Sequence, residues 1–275
     1  MEIPGCRQLS LAHLSLIALS PEELIRTAGV AGFDLVDLRL APATQADRTY
    51  DVDDLKALRR TLPPLLRDAG LQVWDVEIIR LNDQTRPEDY LPLMETAAAL
   101  GARRMKLVCD SEDHDRIAAV ISGLCDLAAP FGLAMDLEYM VFSGVKSLQA
   151  ATDVVGATGR PNLRVLVDAL HWVRAGDIAN LKTADAARLG YVQLCDGPLR
   201  GPTGRQALIH EARNNRLTPG EGEFPLDDLL AAMPSNCVVS LEVPLPPGQG
   251  PLVHAQHLCR SARALIARQE QTVSP

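Results

Sequence analysis

Several apolar segments of this 275-residue chain end in a side chain that can ligate a metal or move a proton. They are Glu77 in VWDVEII, Glu138 in AMDLEYM, Asp168 with His171 in VLVDALHW, Gln193 in YVQLCD and Glu242 in VSLEVP. A carboxylate at the end of an apolar run is costly to desolvate unless it is paired, hydrogen-bonded or coordinated. Residues 166 and 168, 191 and 193, and 240 and 242 are separated by the strand period, so each reactive residue shares a face with its i−2 neighbour. The shared terminal position, repeated along the chain, is the signal.

Each residue also has a plain structural reading. Glu77 can pair with Arg39 or Arg80, and Lys106 with Asp136 reads as a structural ion pair between neighbouring strands. Asp196 reads as ordering the loop after the YVQLCD run, and Asp110 as capping the helix after the fourth strand. His114, His210, His254 and His257 show no ligand-like spacing, so surface or core roles are their default. His13 differs, because it falls at the expected mouth of the first strand.

These end positions presuppose a repeated unit. An amphipathic helix stops at a small residue plus Gly and a β-type run follows, in AGFDLVDLRL at Gly32, AGLQVWDVEII at Gly70, LGARRMKLVC at Gly101, FGLAMDLEYM at Gly132 and LGYVQLCD at Gly190. Gly suits a helix end because that position often needs a left-handed backbone. The steps are 38, 31, 31 and 58 residues, the last spanning two units with a less regular junction near residues 160–163. Ser20, Pro21 and Glu23 form an N-cap, a first-turn proline and a capping-box partner. Leu55, Leu58, Leu62, Leu65 and Ala69 form a second helical stripe that Pro63 and Pro64 are expected to kink or interrupt, and Ile117, Ile121, Leu124 and Leu127 form another.

With strands expected near 8–14, 163–168 and 237–243, the total is eight. Helices alternating with strands imply parallel βαβ crossovers, and the count favours a closed α/β barrel, (β/α)8, over a doubly wound open sheet. No G-x-G-x-x-G or G-x-x-x-x-G-K-[ST] follows any strand. Barrel chemistry sits at the carboxyl ends of the strands, where the residues above fall. No Gly-, Ser- or Pro-rich linker divides the chain, so it is read as one domain over 1–275 with a flexible tail after about residue 268.

A formal charge of −8, from 35 acidic and 27 basic residues, repels phosphate backbones, so nucleic acid is not an expected partner. Cys6, Cys109, Cys125, Cys195, Cys237 and Cys259 form no C-x-x-C pair and suit a reducing cytoplasm. The N-terminus has no basic-then-apolar leader and no run of about 18 apolar residues occurs. A soluble, unexported, cytoplasmic protein is expected, with no membrane partner; a homo-oligomer is compatible with the sequence.

From the first strand to about Ala267 the chain resembles the xylose isomerase-like TIM barrels, often called the sugar phosphate isomerase/epimerase family. The resemblance rests on Glu138, on D-x-x-H at Asp168 and His171, on Gln193 with Asp196 three residues on, on the G-E-G loop at residues 220–222, and on L-E at Leu241 and Glu242. It implies that Glu138, Asp168, Gln193 and Glu242 bind one divalent metal and that His171 lies near substrate. Many epimerases of the family have His where this chain has Gln193. The implied shell is all oxygen, which favours Mn²⁺ or Mg²⁺. Gln at this position is also similar to the 3-dehydroshikimate dehydratase branch.

The resemblance implies a small polyhydroxylated carbonyl substrate, with Glu138 and Glu242 as proton carriers beside the carbonyl. Isomerase or epimerase is the first reading, and a dehydratase of the 3-dehydroshikimate or inosose type the second. A catalytically silent sugar- or partner-binding barrel is the reading of another class. His13, Glu77, Trp172, Asp196 and Glu221 are the candidate substrate contacts, with Trp74 near a strand end as well. Arg205, Arg213 and Arg216 would meet a phosphate or carboxylate, or be solvated.

Overall fold

Gly32, Gly70, Gly101 and Gly132 all have positive φ and close the helices before them. The computed structural model describes residues 7–45 and 47–273, and Cys6 lies outside them. Strands β1 (Leu9–Leu11), β2 (Leu35–Arg39), β3 (Gln72–Leu81), β4 (Arg104–Cys109), β5 (Ala134–Glu138), β6 (Leu163–Asp168), β7 (Leu189–Leu194) and β8 (Val239–Leu241) alternate with helices. Each strand pairs parallel to the next, and β8 pairs with β1, so the sheet closes as an eight-stranded (β/α)8 barrel. The helices are α1 (Pro21–Ala31), α2 (Val52–Ala69), α3 (Leu91–Ala99), α4 (His114–Ala128), α5 (Leu148–Thr158), α6 (Ala169–Arg174), α7 (Arg205–Asn214), α8 (Leu226–Ala232) and α9 (Pro251–Val273). The capping box forms at α1, where Ser20 and Glu23 each bond the other's backbone N–H. Among the described residues no helix is long and apolar enough to cross a membrane.

Three local expectations are corrected. Helix α2 runs unbroken through Pro63 and Pro64; both prolines lie off the buried Leu55, Leu58, Leu62 and Leu66 stripe, so the carbonyls they leave unbonded can turn to water. Gly190 is not a helix stop but an interior residue of β7; Gly159, with φ of 63°, closes α5 at the less regular junction ahead of β6. Asp113, not Asp110, caps α4, while Asp110 holds Arg80 at 2.5 Å. Helix α9 continues through Val273.

The barrel interior is layered. Leu35, Leu166, Tyr191 and Val238, with Trp74 against them, form an apolar cluster. Above it the lining turns polar: Ser10 donates to Asp37 at 2.6 Å, Ser240 donates to the other oxygen of Asp37, and Tyr191 donates to Asp75. Burial pushes Asp37 up to about 7 and Asp75 well above the carboxylate range, which lightens the charge that the interior must carry. The expected Lys106–Asp136 pair does not form. The two residues share a register, but Arg104 donates to both Asp136 oxygens, at 2.7 and 2.8 Å, and the longer Lys106 stem carries its ammonium toward the carboxyl ends.

Gly190 leaves the room for the Arg104–Asp136 pair: a Cβ on it would collide with Asp136 Oδ1 and stand 3.3 Å from Arg104 Nη1. Gly190→Ala is expected to cost about 1–3 kcal/mol of stability through overpacking, measured by denaturant titration. An unchanged midpoint and slope would show that the pair relaxes without cost.

Candidate active site

Glu138 and Asp168 end β5 and β6, Gln193 is the penultimate residue of β7, and Glu242 follows β8. Closure of the barrel brings them to one mouth. One oxygen each of Glu138, Asp168 and Glu242 lies within 4.8 Å of the others, and all three residues are buried. Asp168 also caps α6, its Oδ1 accepting from the His171 backbone N–H at 3.1 Å. Gln193 stands beside Glu242, donating to its Oε1 at 3.1 Å.

Two cations absent from the expected site hold these acids. Lys106, 1% exposed, donates to Glu242 Oε1 at 3.0 Å and to Gln193 Oε1 at 3.2 Å, and lies 3.2 Å from Glu77. Arg216 donates to Asp168 Oδ2 at 2.6 Å and lies 3.0 Å from Glu242 Oε2. A mid-strand lysine in RMKLVC was a signal for the first, since such an ammonium must find acids. Nothing local marks Arg216. Glu77 faces Arg39 at 2.8 Å, one of the two partners open to it, and so sits among the interior pairs.

The two glutamates differ in their surroundings. Burial pushes Glu242 up, but Lys106, Arg216 and Arg39 outweigh it and hold the carboxyl at about 2. Burial pushes Glu138 up to about 8, with Lys106 4.0 Å away offering only partial relief. Among the described residues nothing donates a hydrogen bond to Glu138; His171 Nε2 is 3.8 Å from it. Burial lowers His171 to about 4, so its imidazole is neutral, and among the described residues its Nδ1 has no partner.

A cavity of about 330 Å³ opens above these groups, at the small end of the range for small-molecule sites. Lys106, Glu138, Glu242, His171 and Arg216 reach it from below, Ile78, Val108, Met140 and Phe142 form apolar wall, and Arg205, Ile209 and Arg213 of α7 line it too. All five expected substrate contacts, Glu77 among its interior cations included, lie off it. His13 is buried between Leu19 O and the Arg39 backbone N–H, both at 3.0 Å. Trp172 is in the core, donating to Asp177 O at 3.0 Å. Asp196 accepts from the backbone N–H groups of Gly197, Gly220 and Phe224, so its carboxylate is spent on the loop. Glu221 points outward to His257 at 2.7 Å.

The donors suit a divalent cation. Three carboxylate oxygens already converge, each keeps a lone pair beyond its present bonds, and Glu138 lacks a hydrogen-bond donor among the described residues. The fourth candidate ligand, Gln193, has its carbonyl oxygen on Lys106.

A sequence profile of the xylose isomerase-like TIM barrel family matches residues 25–264. The chain belongs to this family. A protein named inosose isomerase from Bacillus velezensis is 29% identical over 169 residues, 56% of this chain, and the chain spans 58% of that protein's length. A second, from Halalkalibacterium halodurans, is 26% identical over 222 residues, 74% of each chain. Among solved structures, the IolI protein with a bound zinc atom superposes with a TM-score of 0.76 at 19% identity, covering 95% of this chain and 99% of that one. A probable 3-dehydroshikimate dehydratase from Bacillus anthracis superposes at 0.70 with 13% identity, covering 93% and 98%. At these identities the superpositions speak for the fold alone.

The shared ammonium has a measurable weight in this family member. Lys106→Met keeps the volume but leaves Glu77 to Arg39 alone and Glu242 to Arg216 alone in the interior, and is expected to cost about 3–5 kcal/mol in chemical denaturation. A loss below about 1 kcal/mol would mean that the acids reprotonate or rearrange at little cost.

Proposed function

We propose that the chain is a divalent-metal-dependent isomerase or epimerase acting on a small polyhydroxylated carbonyl compound. The observation that carries this reading is the convergence of Glu138, Asp168 and Glu242 within 4.8 Å beneath a cavity. Membership of the family and two relatives named inosose isomerase support the reaction class. Glu138, Asp168 and Glu242, with Gln193 turned to offer its carbonyl, would hold the ion. When bound, Mn²⁺ or Mg²⁺, the cations suited to oxygen donors, supplies Lewis-acid polarisation of the substrate carbonyl.

The chain's own residues divide the remaining work. Glu138 and Glu242 stand on different strands and flank the substrate as the pair that removes and returns a proton beside the carbonyl. Lys106 and Arg216 anchor Glu242 in one orientation, whereas Glu138 is free to turn toward carbon. Neutral His171, on the cavity wall beside Glu138, meets a substrate hydroxyl. The apolar walls exclude water from the reacting carbon. Return of the proton to the opposite face or to the neighbouring carbon gives epimerisation or isomerisation. Gln193, shared with the dehydratase branch, favours a second reading in which a β-hydroxyl leaves as water after the same proton removal.

Metal-depleted protein should bind one Mn²⁺ per chain and gain thermal stability, and Asp168→Asn should abolish both effects. If the wild-type protein binds no divalent cation, the metal centre is wrong. Turnover of ketoses or inosose-like ketones in D₂O should place deuterium at one product carbon without change of formula, whereas a product lighter by water would establish the dehydratase. Glu138→Gln and Glu242→Gln at saturating metal should each lower turnover by at least about 10²-fold; wild-type rates in both would move the proton transfer to another group.

A further inference from the structure

Six cationic side chains line the cavity: Arg39, Arg80, Lys106, Arg205, Arg213 and Arg216. Four are matched by carboxylates: Arg39 with Glu77 at 2.8 Å, Arg80 with Asp110 at 2.5 Å, Lys106 with Glu242 at 3.0 Å and Arg216 with Asp168 at 2.6 Å. Among the described residues Arg205 donates only to a neutral acceptor, the carbonyl oxygen of Phe142. Arg213 has neither hydrogen bond nor ion pair among the described residues and is exposed. Positive charge is therefore left uncompensated on one side of the cavity, in a chain whose formal charge is −8.

The helix that carries the two arginines keeps acids away from them. Side chains three and four residues apart meet on a helix. Behind Arg213 on α7 those positions are Ile209 and His210, and ahead of Arg205 they are Leu208 and Ile209. The one acid of α7, Glu211, is taken by Arg174 through bonds of 2.6 and 2.8 Å. Ile209, one turn from each arginine, lines the cavity with them, so one helix face presents two guanidinium groups and an apolar side chain to whatever enters. A guanidinium holds a carboxylate or phosphate through two parallel hydrogen bonds.

We infer that the substrate is anionic: a hydroxylated carbonyl compound whose remote carboxylate or phosphate is bound by Arg213 and Arg205. The two ends of the cavity then have different tasks. The buried acids receive the carbonyl and its adjacent hydroxyl, and the α7 arginines receive the charged end, fixing which carbon lies beside Glu138. This inference rests on the proposed carbonyl chemistry for its orientation, but its test needs no turnover.

Isothermal titration with three unreactive polyols separates the terms: neutral D-glucitol, D-glucitol 6-phosphate and D-gluconate. The titrations run with and without Mn²⁺ on the wild type, on Arg205→Gln, on Arg213→Gln and on the double variant. At least one anionic polyol should bind the wild type about tenfold or more tightly than glucitol, the size of one charge-assisted hydrogen bond, and which one identifies the group. Each single variant should narrow the margin and the double variant abolish it, with glucitol binding and melting temperature unchanged. Equal affinity for all three polyols, no detectable binding of either anion, or a margin that survives in the double variant would overturn the inference. A protein that shows the margin but turns over no carbonyl compound would instead refute the proposed reaction and leave the anion site standing.

Discussion

An ammonium group deprived of water has to be surrounded by acids, and Lys106 imposes that requirement on the centre of this barrel. Interiors of the (β/α)8 fold are ordinarily packed with branched apolar side chains. Here the stem of Lys106 leads away from Asp136 and Arg104 and delivers its charge among Glu77, Gln193 and Glu242. The acids are buried because the cation is there, and the cation is tolerable because of the acids. Removing the acids would leave a bare ammonium in a low-dielectric space, and removing the ammonium would leave Glu77 and Glu242 with one cation each, Arg39 and Arg216.

The electrostatic sum around this core leaves an opening. Glu77, Glu138, Asp168 and Glu242 face Arg39, Lys106 and Arg216, four acids against three fixed cations. The unmatched acid is Glu138, whose carboxyl burial pushes up to about 8. A proton there satisfies the interior, and so would a cation shared with Asp168 and Glu242. Deeper in the barrel, Asp37 and Asp75 are pushed upward by burial and the neighbouring acids, and hydroxyl groups of Ser10, Ser240 and Tyr191 attend them instead of cations.

Arg216 reaches this site because the chain between β7 and β8 is pinned from outside it. The backbones of Asp196 and Leu217 exchange two hydrogen bonds of 2.8 Å, and the Asp196 carboxylate gathers the N–H groups of Gly197, Gly220 and Phe224. Gly222 has no side chain to obstruct that knot, since a Cβ would collide with Asp196 and Gly197. The residue beside Leu217 is thereby turned inward, where it ties Asp168 to Glu242. Asp196 and the G-E-G loop thus position the site rather than line it.

Fold and floor were legible in the linear chain because their determinants are local. Helix stops at Gly32, Gly70, Gly101 and Gly132, the Ser20 capping box, and acids ending apolar strands each depend on a few adjacent residues. The spacing of Glu138, Asp168 and Glu242 then follows from strand order, since strands with one parity and a shared carboxyl end must present those residues together once the sheet closes. Partner choice is another matter. Asp136 takes Arg104 rather than Lys106, Asp110 takes Arg80 rather than the start of α4, and Trp172, Asp196, Glu221 and His13 find partners away from the cavity. Each of these pairings depends on side-chain length and direction across elements distant in sequence. Only the packed barrel decides them, because a flexible charged stem reaches the nearest complementary group in space, and nearness in space is what the one-dimensional order leaves open.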